Sequence, residues 1–428
     1  MPFSTFDGLG LVEPLRLALK AENYLKPTPI QVQTIPLLTQ GKDLLGIAET
    51  GTGKTAAFAL PLLQRLSLGR LPRIPSSPSA LILAPTRELA SQIGERISAY
   101  GKGLPLRSTV IFGGVNQHHQ VKALKAGVDI LIATPGRLLD LCQQRHIRLD
   151  KVSILVLDEA DRMLDMGFIH DVRKIVGLCR RDRQTLLFSA TMPPPIAKLA
   201  QDILHDPVRV DIAPAKIAVD RIQQRVFFVG AKEKRALLEA LLADRDMDRV
   251  LVFTRTKRGA DRVCRNLVQA GFATVALHGN KAQNARVRAL DAFRAGKVRI
   301  LVATDIAARG IDVPNISHVV NYELPNEPES YVHRIGRTAR AGAGGAALSF
   351  CDPDERPYLA AIERLMRSTV TVGEHRLAMA PTRQPDRQRP PTKAAPGKQR
   401  NRSRPRRFAG VQRGVAPTSA KAERAYPL

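Results

Sequence analysis

The chain has 428 residues, 44% of them apolar, which is enough to fill the cores of two ordinary domains. Its 66 Lys and Arg outnumber its 39 Asp and Glu and give a formal charge of +27, which favours a polyanionic partner such as nucleic acid. An anionic membrane surface is the competing partner, but no apolar run reaches about 18 residues and the N-terminus does not resemble a signal peptide. We therefore expect a cytoplasmic protein with no membrane partner, and its four well-separated cysteines should be reduced thiols.

The first 35 residues combine a helical pattern with a loop that two prolines stiffen. Pro27 and Pro29 forbid a regular helix there and fix the loop that carries Gln31. The amide of Gln31 matches the N6 and N7 edge of adenine, and Phe6 offers a ring face for stacking. Residues 3–35 therefore form a candidate adenine-recognition segment, with a Pro-rich turn and a capping Gln as the alternative.

A strand-like run at residues 43–47 leads into a Gly-rich turn and then a helix. The turn reads Ala48-Glu49-Thr50-Gly51-Thr52-Gly53-Lys54-Thr55, with Ala48 where the strict P-loop pattern has Gly. Gly51 and Gly53 let backbone N–H groups approach phosphates at a helix N-terminus. Lys54 would reach the outer phosphates and the Thr55 hydroxyl would reach a Mg²⁺ ion. The turn therefore predicts a nucleoside triphosphate site.

Strands and helices alternate up to residue 211, which is typical of a parallel α/β sheet covered on both faces. Ligands of such sheets bind outside the carboxyl ends of the strands, so the polar clusters that follow the strands should share one rim with the P-loop. One cluster, Asp158 and Glu159, follows a run of four apolar residues. Adjacent carboxylates at a strand end suit a metal-nucleotide site, and a solvated acidic turn is the alternative.

Residues 212–220 are small, contain a Pro and show no period, which indicates a linker between a first domain at 1–211 and a second at 221–370. The second domain repeats the alternation but has no second Gly-Lys-Thr, so it should not hold phosphates through its own P-loop. Arg334, Arg337 and Arg340 recur at threefold spacing near one helix face. They predict a row that reaches a nucleotide held by the first domain, with a solvated basic helix as the alternative.

The composition changes again in residues 371–428. From Arg376 onward the chain has 14 Lys and Arg against two acids, with frequent Pro and Gln. Such a segment cannot bury enough apolar surface to offset its ordering entropy, so we predict a disordered basic tail. Phosphate contacts of this tail should add RNA affinity, and a merely solvated tail is the alternative.

The Pro27 to Gln31 loop, the P-loop, Asp158-Glu159-Ala160-Asp161, Ser189-Ala190-Thr191 and the later arginines together resemble the motifs of the DEAD-box ATP-dependent RNA helicases, closest to the bacterial RhlE-like subgroup. The resemblance implies an α/β fold of two tandem RecA-like domains that close on ATP, Mg²⁺ and single-stranded RNA. It also implies local unwinding of short RNA duplexes or remodelling of RNA–protein complexes, driven by ATP hydrolysis. An ATP-gated RNA clamp with little unwinding, and a DNA translocase, are the alternatives. Ribosome-assembly and RNA-decay proteins are candidate partners that the sequence does not separate.

The resemblance assigns nucleotide roles within both domains. Phe6 would stack on adenine and Gln31 would read its edge. Lys54 and Thr55 would bind the phosphates and Mg²⁺, Asp158 would hold the metal through water, and Glu159 would activate the hydrolytic water. The nucleotide contacts expected from the second domain are Gly310 and Asp312, with Arg337 and Arg340 as arginine fingers.

The resemblance assigns the remaining motif residues to coupling and to RNA. The residues expected to link hydrolysis to domain closure are Asp161, Ser189, Thr191 and His333. Hydroxyls, guanidinium groups and bare backbone suit contacts to phosphates and 2′-hydroxyls without base reading. The residues expected along this sequence-independent RNA path are Thr86, Arg87, Gly114, Thr134, Gly136, Arg137, Arg255, Gln283, Arg286 and Thr304.

Ala339 departs from the family, which usually has Gly at this position. If the position needs φ > 0, Ala would displace the arginine fingers, whereas a helical position would tolerate it. We expect a harmless helical position.

Overall fold

The computed structural model describes residues 5–48, 51–69, 72–212, 222–244, 246–308, 313, 315–339 and 344–374. Several predictions fall outside the described residues, namely those for Thr50, the linker from 213, Gly310, Asp312, Arg340 and the tail from 375. Within the described part of the chain, no helix is both long enough and apolar enough to cross a membrane.

The first domain is built on a sheet of seven parallel strands. The strands are β1 (Leu44–Ile47), β2 (Ala80–Leu83), β3 (Ser108–Ile111), β4 (Ile130–Ala133), β5 (Ile154–Leu157), β6 (Gln184–Ser189) and β7 (Val208–Asp211). Their order across the sheet is β3-β4-β2-β5-β6-β1-β7. The central strands are short apolar runs because both faces of a parallel sheet are covered, and every residue of β2, β4 and β5 is buried.

Helices cover both faces of this sheet, and a short 3₁₀ helix at Phe6–Leu9 precedes them. They are α1 (Glu13–Ala21), α2 (Pro29–Thr39), α3 (Lys54–Leu68), α4 (Arg87–Tyr100), α5 (His118–Lys125), α6 (Pro135–Gln143), α7 (Ala160–Asp165), α8 (Ile169–Leu178) and α9 (Pro194–Ile203). Alternate strand residues enter two separate cores. Ile82 and Val156 pack with Phe58 of α3, whereas Leu81 and Leu155 pack on the opposite face.

The second domain repeats this architecture. Its strands are β8 (Ile222–Phe228), β9 (Val250–Thr254), β10 (Thr274–Leu277), β11 (Ile300–Thr304), β12 (His318–Asn321), β13 (Gly345–Cys351) and β14 (Thr371–Val372). Its helices are α10 (Lys234–Leu242), α11 (Lys257–Gln269), α12 (Gln283–Arg294), α13 (Asp305–Ala308), α14 (Pro328–Ile335) and α15 (Arg356–Met366). The order of its seven parallel strands is β10-β11-β9-β12-β13-β8-β14.

Strands β8 to β14 occupy the same positions in the second sheet as β1 to β7 do in the first, so the two sheets have the same topology. The predicted fold class, two tandem RecA-like α/β domains, is confirmed. The topology also divides the rim of the first sheet. The predicted RNA residues follow β2, β3 and β4 on one side, and the P-loop and Asp158 follow β1 and β5 toward the other side.

The predicted start of the tail at residue 371 is wrong by at least two residues. Thr371 and Val372 form β14, which pairs in parallel with Arg225 and Val226 of β8 at the edge of the second sheet. Pairing with β8 satisfies backbone groups that a solvated tail would leave to water. A strand of two residues is too short to produce a hydrophobic period, so the sequence carried no signal for it.

Candidate functional site

The P-loop enters α3 through a glycine in a left-handed conformation. Gly53 has φ +95°, and a Cβ at this position would lie 2.5 Å from Nε2 of Gln31. A side chain at residue 53 is therefore excluded both by the backbone conformation and by the neighbouring amide. Lys54 follows in the first turn of α3, and its ammonium donates a 2.9 Å hydrogen bond to the carbonyl of Ala48.

Gln31 lies in the first turn of helix α2, so the prediction of a loop that excludes a regular helix is wrong. Pro29 is tolerated there because the first residues of a helix need no backbone N–H donor. Gln31 ties the α2 N-terminus to the P-loop. Its Oε1 accepts from the backbone N–H of Thr28 at 2.9 Å, and its Nε2 donates to the carbonyl of Gly53 at 3.1 Å. Each amide atom retains a further lone pair or hydrogen, so adenine reading by Gln31 stays a prediction. Phe6 is different, because its ring is buried in the core against Tyr24 at 6.4 Å between centroids. That burial does not favour stacking of Phe6 on adenine.

Asp158 and Glu159 are both buried at the carboxyl end of β5. Burial raises the pKa of Asp158 to about 6, and the neighbouring Glu159 adds to the rise against the opposing charges of Lys54 and Arg162. Burial alone would also raise the pKa of Glu159, but the charges of Arg162, Lys54 and Arg337 outweigh it and lower that pKa. The pKa values of the two adjacent carboxyl groups are therefore shifted in opposite directions, and Glu159 is held as the carboxylate.

The chemistry of Asp158 fits a divalent cation. Its Oδ1 is buried and accepts no hydrogen bond from any described residue. A buried carboxylate oxygen without a donor is costly in an apo site, and a hard oxygen ligand is what Mg²⁺ prefers. Thr55, in the first turn of α3, carries a hydroxyl that would be a further oxygen ligand for the same ion.

Glu159 has a strained backbone and a cationic partner on the helix that follows it. It precedes α7 with φ +55° and ψ +54°, a conformation uncommon for a residue other than Gly. The guanidinium of Arg162 donates through Nη1 to Glu159 Oε2 at 2.7 Å, and both side chains are about 95% buried. Arg162 was not predicted as a site residue, although its spacing of three residues from Glu159 was visible in the sequence.

Asp161 connects β5 to the segment after β6. Its Oδ2 accepts from the backbone N–H of Thr191 at 3.0 Å and from the Thr191 hydroxyl at 3.1 Å. The N–H of Asp161 donates to the Ser189 hydroxyl at 3.1 Å, and that hydroxyl donates to the Thr191 carbonyl at 2.7 Å. The structure therefore brings together three of the four predicted coupling residues, all within the first domain. His333, the fourth, lies in the last turn of α14, and its role across the cleft stays a prediction.

The predicted arginine row is wrong for Arg334. This side chain is 2% exposed, and its Nη1 donates to Asn321 at 3.1 Å and to the carbonyl of Glu323 at 2.7 Å. Its other nitrogens pair with the two carboxylate oxygens of Asp305 at 2.5 and 2.6 Å. The hydrogen-bond donors of Arg334 are thus paired within the second domain. Helix α14 ends at Ile335, so Arg337 does not share a helix face with Arg334.

Arg337 lies beyond the end of α14 and is the candidate arginine finger within the described residues. It is 4% exposed, its Nε donates to the carbonyl of His333 at 3.1 Å, and its charge lowers the pKa of Glu159. Ala339, two residues later, has φ +55°, so the expectation of a helical position was wrong. A left-handed Ala costs roughly 1–2 kcal/mol relative to a residue without a Cβ penalty.

Two of the predicted RNA residues of the first domain, Arg87 and Arg137, contact the loop that follows β3. The guanidinium of Arg87 covers Gly114, where φ is +76° and a Cβ would overlap Nη1. Arg137 donates to the carbonyl of Val115 at 3.2 Å. Thr86 and Thr134 are the residues directly before α4 and α6, and Gly136 is in the first turn of α6, where a Cβ would meet no atom within 4 Å.

In the second domain, two predicted RNA residues contact the first domain. Gln283 donates through Nε2 to Glu88 Oε1 at 3.0 Å, and Arg286 pairs with Glu88 Oε2 at 2.9 Å. Gln283 also accepts from Arg87 at 3.3 Å. Glu88 was not predicted as a site residue, and no local pattern could have found it because its partners lie about 195 residues away.

Arg255 and Thr304 occupy the matching side of the second sheet, at the ends of β9 and β11. The backbone N–H of Arg255 donates to Glu323 at 2.7 Å, and its guanidinium pairs with the buried Glu355 at 3.2 Å. The side chain remains one-third exposed. RNA contact by Arg255 and Thr304 stays a prediction.

Sequence comparisons agree with this division of labour between the domains. The model of the DEAD/DEAH box helicase family matches residues 28–199, and that of the helicase conserved C-terminal domain matches residues 233–342. The chain is 44% identical over 364 residues to the ATP-dependent RNA helicase CshA of Limosilactobacillus reuteri, covering 85% of this chain and 72% of that relative. The chain belongs to the DEAD-box helicase family.

Other DEAD-box relatives are longer than this chain. ATP-dependent RNA helicase dbp2 of Neurospora crassa is 47% identical over 359 residues, which is 82% of this chain but 64% of that relative. Among solved structures, S. cerevisiae Dbp5 bound to RNA and ADP BeF3 superposes with a TM-score of 0.76 at 32% identity, covering 87% of this chain and 96% of that one. These relatives do not single out the RhlE-like subgroup, which stays a prediction.

Proposed function

We propose that this protein is an RNA-stimulated ATPase that uses closure of its two domains to separate short RNA duplexes locally or to remodel RNA–protein complexes. One observation carries the proposal. Arg337 of the second domain lies near enough to Glu159 of the first to lower its pKa. A carboxylate base and a cation from the opposite domain are what a nucleoside triphosphatase needs when its arginine finger completes the site on domain closure.

The proposed reaction is hydrolysis of ATP at the P-loop. Lys54 would exchange the Ala48 carbonyl for the outer phosphates, and Asp158 and Thr55 would hold Mg²⁺. When bound, that ion neutralises charge on the β- and γ-phosphates. Glu159 accepts a proton from water as the water oxygen bonds to the γ-phosphorus and the bond to the β-phosphate oxygen breaks, which gives ADP and phosphate. Arg337, with Arg340 as its proposed companion, stabilises the charge of the transferring group.

Closure is the step that RNA is proposed to promote. Glu88 joins the α4 N-terminus to Gln283 and Arg286, so the element that carries Arg87 on the RNA side also holds the second domain. The Asp161 contacts with Ser189 and Thr191 lie within the first domain, two residues from Glu159, and are proposed to link the same movement to that base. Sequence-independent backbone contacts to one RNA strand follow from the guanidinium, hydroxyl and glycine chemistry of the rim.

The relatives support the nucleic-acid and nucleotide classes. CshA and dbp2 are named ATP-dependent RNA helicases, and the Dbp5 structure contains RNA and ADP BeF3. Gly310 and Asp312, outside the described residues, are proposed as further nucleotide contacts because the resemblance implies them.

The test combines ATP turnover with strand separation. ATP hydrolysis is measured without nucleic acid, with single-stranded RNA and with DNA, and strand separation is followed on a short RNA duplex. RNA alone should stimulate turnover, and Glu159→Gln should retain ATP and RNA binding while losing turnover. Wild-type turnover in Glu159→Gln would remove Glu159 from the role of base. Turnover without strand separation would favour the ATP-gated clamp, and equal stimulation by DNA would favour a DNA translocase.

The basic tail is proposed as a second RNA contact. Its 14 Lys and Arg against two acids predict phosphate contacts whose strength falls steeply with salt. Removal of residues 376–428 should weaken RNA binding and flatten the plot of log affinity against log salt. An unchanged affinity and slope would contradict the proposal.

A further inference from the structure

Arg162 is a cation of the same domain as Glu159 and contacts its carboxylate directly. It lies three residues after Glu159, on the short helix α7 that Glu159 precedes. Its Nη1 donates to Glu159 Oε2 at 2.7 Å. Lys54 and Arg337 also act on Glu159, but Lys54 is directed to the phosphates by its position in the P-loop, and Arg337 belongs to the second domain.

The pair is held rigidly. Arg162 and Glu159 are 4% and 3% exposed. The backbone N–H of Arg162 donates to the Glu159 carbonyl at 3.0 Å and to Asp161 Oδ1 at 3.1 Å. The Arg162 backbone is therefore fixed, burial restricts its side chain, and the planar guanidinium fixes the carboxylate in turn.

The backbone of Glu159 is a second restraint on its side chain. The left-handed conformation is strained for Glu, and such strain persists where the surroundings hold a functional group in place. The strained backbone sets where the side chain starts, and the guanidinium sets where the carboxylate ends. Both restraints act on the residue assigned as the base.

We propose that Arg162 is a positioning residue for ATP hydrolysis, which holds the Glu159 carboxylate in the orientation that receives the proton of the attacking water. This inference rests on the proposed function, because it assumes that Glu159 is the base. Arg162 itself touches neither ATP nor water in this role. Loss of the contact should misplace the carboxylate, and a misplacement of about 1 Å costs on the order of 10²-fold in rate.

Three variants test the proposal by steady-state ATP hydrolysis with saturating RNA. Arg162→Met keeps the aliphatic volume and removes the guanidinium, and we expect kcat to fall on the order of 10²-fold with KM for ATP within about twofold. Arg162→Lys keeps the charge with a shorter reach and should recover part of kcat. Arg73→Met is the matched control, because Arg73 makes an ion pair of the same 2.7 Å length with Asp129 elsewhere in the first domain. Its kcat should equal that of the wild type.

A double-mutant cycle separates positioning from general damage to the fold. Single-turnover rates are compared for wild type, Arg162→Met, Glu159→Gln and the double variant. If Arg162 acts through Glu159, the double variant should be as slow as Glu159→Gln alone. Equal fold-losses in both backgrounds would overturn the proposal, as would a kcat within about twofold of wild type for Arg162→Met.

The remaining outcomes are also decisive. If Arg162→Met does not fold, as judged by its melting curve, Arg162→Lys decides: a lowered kcat with unchanged KM supports positioning, and a raised KM with unchanged kcat contradicts it. A wild-type protein without RNA-stimulated hydrolysis would overturn the proposed function and this inference together. Active wild type with unaffected Arg162 variants would overturn this inference alone.

Discussion

Glu88 and Arg286 form a buried ion pair of 2.9 Å between helices α4 and α12, which belong to different domains. Their side chains are 4% and 10% exposed. The same carboxylate accepts from Gln283, so one acid of the first domain binds two residues of one helix turn in the second. Glu88 lies one residue after Arg87, which places this contact directly beside the predicted RNA path.

Glu88→Gln should weaken the closed state without affecting the ATP site of the first domain. Replacement of one partner leaves the Arg286 charge buried, which costs about 2 kcal/mol or roughly 30-fold in the stability of the closed complex. The measurement is the lifetime of the complex with RNA and ADP BeF3. Glu95→Gln, an exposed position of the same helix, is the matched control. An unchanged lifetime for Glu88→Gln would show that the pair does not hold the domains together.

Ala339→Gly should stabilise the protein, because it removes the penalty of a Cβ at φ +55°. The gain should be about 1 kcal/mol after the entropy cost of Gly in the unfolded chain, and urea denaturation measures it. Ala360→Gly, at an exposed position within α15, should instead destabilise by a similar amount. Destabilisation by Ala339→Gly would contradict the left-handed conformation.

Gly114→Ala should weaken RNA binding while leaving ATP binding intact. The new methyl group would overlap Arg87 Nη1, and φ at this position is +76°, so both the loop and the guanidinium must move. We expect RNA affinity to fall about tenfold, measured by fluorescence anisotropy with a short labelled RNA. Gly177→Ala, where a Cβ meets no atom within 4 Å, should bind RNA like the wild type.

Binding of Mg²⁺ with nucleotide should release a proton from Asp158 in mildly acidic solution. Burial raises the pKa of Asp158 from 3.8 to about 6, so the folded apo protein binds this proton more tightly than the unfolded chain does. The resulting contribution to folding stability is present below pH 3.8 and is lost as the pH rises through about 6. A metal requires the carboxylate, so its affinity should rise over the same interval.

Calorimetry in two buffers of different ionisation heat, near pH ~5.5, counts the released protons. Asp158→Asn should release fewer protons than the wild type, by up to about one, and the protons of the nucleotide itself cancel in this comparison. Equal proton release by both proteins would place the raised pKa elsewhere.

The strands and their rim were predictable because a buried parallel strand reads as an apolar run followed by polar residues. The four apolar residues predicted before Asp158 form β5, and the strand-like run predicted at residues 43–47 is β1 at Leu44–Ile47. The Glu88 contact was not predictable from local patterns, because it depends on how the two domains pack. The burial of Arg334 was not predictable for a similar reason, since its partner Asp305 follows a distant strand, β11. The conformation of Ala339 is set by its surroundings and not by an alanine preference.

The shared strand order makes the second sheet a structural copy of the first, so corresponding turns of the two domains can be compared. In the first copy the turn after β1 is the Gly-rich P-loop, whereas in the second the turn after β8 reads Val229-Gly230-Ala231-Lys232-Glu233. The P-loop and Arg337 thus belong to different domains. An isolated first domain would keep Lys54 and Glu159 but would lack the cation that Arg337 brings to Glu159.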